Sequence, residues 1–73
     1  MSKKNWKLTL LEGAGSYFNY KKTKAETNLS NYLENPAAIG EHGDVVEECV
    51  KLIEYIEHAN GCIEIVEEIK QKE

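Results

Sequence analysis

One stripe of residues in the last third of the chain constrains the fold more than any other feature. Apolar or small side chains recur there at alternating spacings of four and three residues, the pattern of one buried face of an α-helix. We expect this stripe to form the core and the oligomer interface. Its members are Val45, Cys49, Leu52, Ile56, Ala59, Ile63 and Val66, and Lys70 continues the spacing.

The helix that carries the stripe has clear start and end signals. Asp44 stands at an N-cap position, and Glu47 three residues later completes a capping box. Lys70 and Lys72 place positive charge at the opposite end, where the helix dipole favours it. The sequence therefore predicts a helix over residues 44–71.

The pair Asn60-Gly61 could end this helix early, because glycine is common just beyond a helix C-terminus. A short third helix would then follow from Cys62. The stripe nevertheless keeps its phase from Ala59 to Ile63, and a tolerated glycine costs only about 1 kcal/mol. We therefore predict one unbroken helix.

A second helix is predicted over residues 16–34. Ser16 could cap the start. Apolar residues follow helical spacing after it: Phe18, Ala25, Leu29, Tyr32 and Leu33, with Tyr17 alongside. Proline disfavours the α conformation in the residue before it, so Asn35-Pro36 closes the helix. A later start near Thr27 is the alternative.

The first 15 residues are predicted to form an N-terminal arm (1–15). Gly13-Ala14-Gly15-Ser16 should break any regular element that precedes the helix. Trp6, Leu8 and Leu10 alternate weakly, so a short strand is possible, but a lone strand is not stable by itself. Residues 36–43 form the connector between the helices.

These elements predict an all-α fold, a helical hairpin with a long C-terminal amphipathic helix and an N-terminal arm. A chain of 73 residues buries only about 60% of its unfolded surface. On one helix, Cys49 and Cys62 would lie about 20 Å apart, too far for a disulfide. We therefore expect oligomerisation, with a dimer favoured, to complete a helix bundle.

Charge is distributed unevenly along the chain. Residues 1–26 hold six lysines and two glutamates, whereas residues 27–73 hold three lysines and eleven acidic residues. Lysines interleaved with aromatic rings are typical of surfaces that bind single-stranded nucleic acid. The alternative function is therefore nucleic-acid binding, for which the candidate contacts are Tyr20, Lys21, Lys22 and Lys24.

No catalytic, cofactor or metal site is predicted. Glu54, His58 and Cys62 are spaced four residues apart and could share a zinc ion across a dimer, but no Cys-x-x-Cys motif accompanies them. Cys49 and His42 could form a nucleophile pair. Cys49 belongs to the apolar stripe, however, where a thiol behaves as a small hydrophobic group.

The sequence contains no apolar run long enough for a secretory signal or a membrane span, so we expect a cytoplasmic protein without membrane contact. Residues 31–42, Asn-Tyr-Leu-Glu-Asn-Pro-Ala-Ala-Ile-Gly-Glu-His, precede an acidic amphipathic helix. This arrangement, over residues 31–67, resembles small uncharacterised proteins of tailed phages of marine cyanobacteria. The resemblance implies a phage-encoded accessory protein in the host cytoplasm, with no chemistry attached to the motif.

Taken together, these features favour a non-enzymatic, oligomeric interaction protein. Its stripe would form the core and dimer, and its outer surface would bind an unknown protein partner. The sequence leaves the identity of that partner open.

Overall fold

The computed structural model describes residues 3–35 and 44–72, which form two helices. Helix α1 spans Lys3–Glu34 and helix α2 spans Val45–Lys72. No strand occurs within these ranges, and the two helices pack against each other. The prediction of an all-α fold with two packed helices is confirmed. The connector predicted at 36–43 lies outside the described residues.

The two helices run antiparallel. Between the middle and the free ends of the hairpin, Gly15 lies against Val66, with 3.6 Å from an ideal Cβ position on Gly15 to Val66 Cγ1. Near the connector, Tyr32 of α1 and Glu48 of α2 line the same groove. The rod that results measures 54 × 18 × 16 Å.

The buried residues along the seam are small. Among the described residues, the buried apolar side chains are Ala25 of α1 and Ala59 and Val66 of α2, and no polar side chain is buried. Ala59 has no exposed surface at all. Small side chains at a helix–helix contact let the two axes approach closely, because the interaxial distance follows the side chains between them.

The predicted N-terminal arm (1–15) is wrong for its described part, because α1 begins at Lys3 rather than Ser16. Ser16 is an exposed residue within the helix and does not cap it. Gly13 and Gly15 each cost about 1 kcal/mol relative to alanine in a helix. Packing of the surrounding turns on α2 offsets this cost, and Gly15 provides the space beside Val66.

The end of α1 and the start of α2 agree with the sequence signals. Helix α1 ends at Glu34, immediately before Asn35-Pro36. The side chain of Asp44 accepts a hydrogen bond from the backbone N–H of Glu47 at 3.1 Å, which is the expected N-cap bond. Glu47 and Glu48 lie in the first turn of α2, and Lys70 and Lys72 lie in the last.

Helix α2 continues through Gly61 without interruption, which confirms the prediction of one long helix. An ideal Cβ on Gly61 would meet no atom within 4 Å outside its own helical backbone, so a side chain fits there.

We predict that Gly61→Ala raises the free energy of unfolding by about 0.5–1 kcal/mol, because alanine loses less backbone entropy than glycine in a helix. Urea denaturation at a fixed protein concentration measures the change. Gly61→Asn is the matched control, since asparagine is a poorer helix former than alanine but tolerates a left-handed turn better. Asparagine outperforming alanine would contradict an unbroken helix.

We also predict that Asp44→Ala lowers the free energy of unfolding by about 1 kcal/mol, because the N–H of Glu47 loses its acceptor. Asp44→Ser retains a capping oxygen and should retain most of the stability. Equal losses for the two variants in thermal denaturation would show that the cap bond does not stabilise α2.

Candidate interaction surface

The seven apolar residues of the α2 stripe all lie on the side of the helix that faces α1. Ala59 and Val66 are buried, whereas the other five, Val45, Cys49, Leu52, Ile56 and Ile63, are half-buried. Lys70 is half-buried and pairs with Glu67 at 3.6 Å. The stripe therefore packs within the hairpin, and its role in an oligomer interface stays a prediction.

An aromatic cluster joins the two helices near the middle of their length. The ring of Phe18 packs edge-on against His58 with centroids 6.2 Å apart, and Tyr17 packs edge-on against Phe18 at 5.4 Å. Tyr55 lies 5.7 Å from His58 on the same helix. The imidazole of His58 is therefore positioned by aromatic packing, and it also approaches Cys62, with 3.6 Å between Nε2 and Sγ.

Within residues 3–35 and 44–72, no group of three or more His, Cys, Asp or Glu side chains is arranged to hold a metal ion. His58 and Cys62 approach each other, but Glu54 does not complete a site with them. Cys49 is a half-buried member of the stripe, and His42, its proposed partner, lies outside the described residues. Both cysteines are free thiols.

The four candidate nucleic-acid contacts do not form one surface. Tyr20 and Lys24 are exposed and one helical turn apart. Lys21 is half-buried, and its Nζ lies over the ring of Tyr55 at 6.0 Å from the centroid. Lys22 is half-buried and lies about 160° around the helix axis from both Tyr20 and Lys24, given about 100° per residue.

Large apolar side chains are exposed on both helices. One set runs from the free ends of the hairpin to its middle, and we call this surface the terminal face. Its seven residues are Trp6, Leu10, Gly13, Tyr17 and Tyr20 of α1 with Ile65 and Ile69 of α2; the six with side chains are 41–65% exposed. Leu10 and Ile69 line one shallow groove with Lys7 and Leu11, so the face continues from one helix to the other.

A second set of exposed apolar residues lies toward the connector. We call it the connector-end face, and its members are Leu33, Val46, Val50 and Ile53. Val46 is the most exposed of these, at 72%. By helical spacing this set lies on the other side of the seam from the terminal face.

Neither face was predicted from the sequence. The signal for the terminal face is nevertheless present, because its α1 members recur at spacings of four and three residues, as the buried stripe of α2 does. Trp6, Leu10 and Gly13 precede residue 16, where the predicted helix begins, so this periodicity belongs to one helix only because α1 begins at Lys3.

The ion pairs near the start of α2 lie at the surface. Lys51 contacts Glu47 at 3.8 Å and Glu48 at 3.6 Å; Lys51 and Glu47 are exposed, and Glu48 is half-buried. Exposed pairs of this kind stabilise a helix by only a few tenths of a kcal/mol. The apolar side chains are therefore the features most able to drive binding.

No protein-family model matches the chain, and no curated protein or solved structure shows significant similarity to it. In the described part of the chain, neither helix is long and apolar enough to span a membrane.

Proposed function

We propose that this protein is a non-enzymatic interaction protein that self-associates, with a dimer favoured, and acts by binding another protein. The observation that carries the proposal is the exposure of large apolar side chains on the terminal and connector-end faces. Contiguous apolar surface of this kind is typical of protein–protein interaction sites.

The total surface area supports self-association. The chain exposes 5724 Å², whereas a folded monomer of 8.3 kDa is expected to expose about 4,600 Å². Its radius of gyration is 16.5 Å, compared with about 11 Å for a compact domain of this length. A two-helix hairpin covers only one side of each helix, and pairing of two hairpins into a four-helix arrangement covers more.

The proposed setting is the cytoplasm, and in the phage context suggested by residues 31–67 it is the host cytoplasm. An accessory role, in which the protein binds and alters a host or phage protein, fits a small domain with exposed apolar surfaces. Part of the motif that carries this resemblance lies in the connector.

Nucleic-acid binding is the second candidate function. The observation in its favour is that Tyr20 and Lys24 are exposed on one side of α1, with Tyr17 also exposed nearby. Aromatic rings can stack on bases while lysines contact phosphates. The separate position of Lys22 and the acidic composition of α2 make this surface small, so protein binding ranks first.

We predict that size-exclusion chromatography with light scattering gives a mass about twice the 8.3 kDa of the chain at micromolar concentration, with dissociation on dilution. The physical reason is burial of the exposed apolar side chains between copies. A folded monomer at all concentrations, with helical circular dichroism, would overturn the self-association part of the proposal.

For the second candidate, fluorescence anisotropy with a labelled single-stranded oligonucleotide at low salt is the measurement. If this surface binds, Tyr20→Ala and Lys24→Ala should weaken affinity several-fold, because stacking contributes about 1–3 kcal/mol per base. Lys51→Ala, on the other helix and paired with glutamates, is the matched control. Failure of the wild-type protein to bind removes this candidate.

A further inference from the structure

The terminal face repeats, on the outside of α1, the spacing that packs helices together. Trp6, Leu10, Gly13, Tyr17 and Tyr20 follow one another at intervals of four, three, four and three residues. This repeat keeps side chains on one side of a helix, and in coiled coils it forms the seam that receives a second helix. In the hairpin, the side chains of the terminal face remain exposed.

The terminal face extends from α1 onto α2, so it is as wide as one face of a helix bundle. Ile65 and Ile69 are one turn apart on α2, and both are exposed. Ile69 lines a groove with Leu10 and Leu11 of α1. Two adjacent helices that both present apolar residues on one side are the surface that a second helical hairpin covers in a four-helix bundle.

Gly13 lies at the centre of the terminal face. Packing within the hairpin does not require a glycine at this position. Gly15 accommodates Val66 at 3.6 Å, whereas an ideal Cβ on Gly13 would meet no atom within 4 Å beyond its own helical backbone. Glycine there costs about 1 kcal/mol relative to alanine. An absent side chain between Leu10 and Tyr17 leaves a notch in which another helix backbone can approach closely.

The terminal face supplies much of the area that a dimer requires. A stable interface buries about 800 Å² on each partner. Trp6 and Tyr20 are 56% and 63% exposed, so each can still bury somewhat more than half of the roughly 150–250 Å² that an aromatic side chain buries in full. With Tyr17, Leu10 and the two isoleucines, the face supplies a large part of this area, and the polar side chains at its rim supply the rest.

We propose that the terminal face is the site at which a second copy of this chain binds, with the two α1 helices crossing at Gly13 on a two-fold axis. This inference rests on the proposed self-association and specifies its location. The two-fold axis brings each Gly13 next to the partner's Gly13, and the aromatic residues flank the crossing. The connector-end face then stays open in the dimer and is available to the other protein.

Cysteine cross-linking tests the position of the axis. In a Cys49→Ala and Cys62→Ala background, which light scattering must first show to be dimeric, Gly13→Cys should give a disulfide-linked dimer on mild oxidation. Two equivalent residues beside a two-fold axis can bring their Cα atoms within the roughly 7 Å that a disulfide requires. Thr23→Cys, exposed on another side of α1, is the matched control and should remain mainly monomeric on a non-reducing gel.

Charge substitutions test the face independently. Leu10→Glu and Ile69→Glu should each raise the dimer dissociation constant roughly thirtyfold or more, the scale of a hot-spot loss, because a carboxylate would be buried in an apolar interface. Val50→Glu and Ile53→Glu on the connector-end face are matched controls and should leave the dimer intact. All four sites are at least 41% exposed in the hairpin, so circular dichroism should stay helical.

The possible results separate the two proposals. A wild-type monomer overturns the proposed self-association and this inference together. A wild-type dimer that dissociates with Val50→Glu and Ile53→Glu, but not with Leu10→Glu, keeps the self-association and overturns the assignment to the terminal face. A dimer that Gly13→Cys does not link more efficiently than Thr23→Cys overturns the crossing point.

Discussion

The close packing of α1 on α2 along one narrow seam is the interaction on which the rest of the structure depends. Ala25, Ala59 and Val66 occupy the buried part of that seam, and Gly15 faces Val66 where α2 approaches α1. Small residues give close contact between the helices but little buried area. The hairpin therefore satisfies the geometry of helix packing while it leaves many of its large apolar side chains in water.

This division of residues links the fold to its function. The fully buried positions of the seam hold small side chains. Larger ones such as Phe18 and Ile56 are half-buried beside them, whereas Trp6 and Val46 lie outside the seam. A chain that exposes several large hydrophobic side chains can bury them against a second surface. Binding is accordingly the activity that the architecture favours, and its specificity follows from the shape of each face and the charges around it.

Much of the fold can be predicted from the sequence, but the start of α1 cannot be predicted as easily. The stripe of α2 continues across Gly61 because its apolar residues keep the same phase on both sides. The same reasoning applied to α1 gives a continuous stripe, Leu11, Gly15, Phe18, Lys22, Ala25, Leu29 and Tyr32, at alternating intervals of four and three. Gly15 and Lys22 concealed it, because neither reads as an apolar core residue. Lys22 is nevertheless half-buried, as expected for a long aliphatic stem that packs along a helix.

The exposed surfaces were less accessible to prediction than the seam. Periodicity shows that residues share one side of a helix but does not show which of two apolar sides packs inward. In α1 that choice depends on the partner helix, since Gly15 accommodates Val66 whereas Gly13 has open space. The sequence therefore predicts amphipathic helices, and the packed structure shows which of their apolar sides remain exposed.

The hairpin is joined by the connector at only one end, and this has a consequence for its motion. Contacts near the connector, such as those of Tyr32 and Glu48, close a short loop, whereas contact between Gly15 and Val66 requires a much longer loop to close. Local opening should therefore begin at the free ends, where the terminal face lies. A partner bound at that face also holds the two helix ends together. Binding therefore stabilises the folded ends, and folding of the ends favours binding.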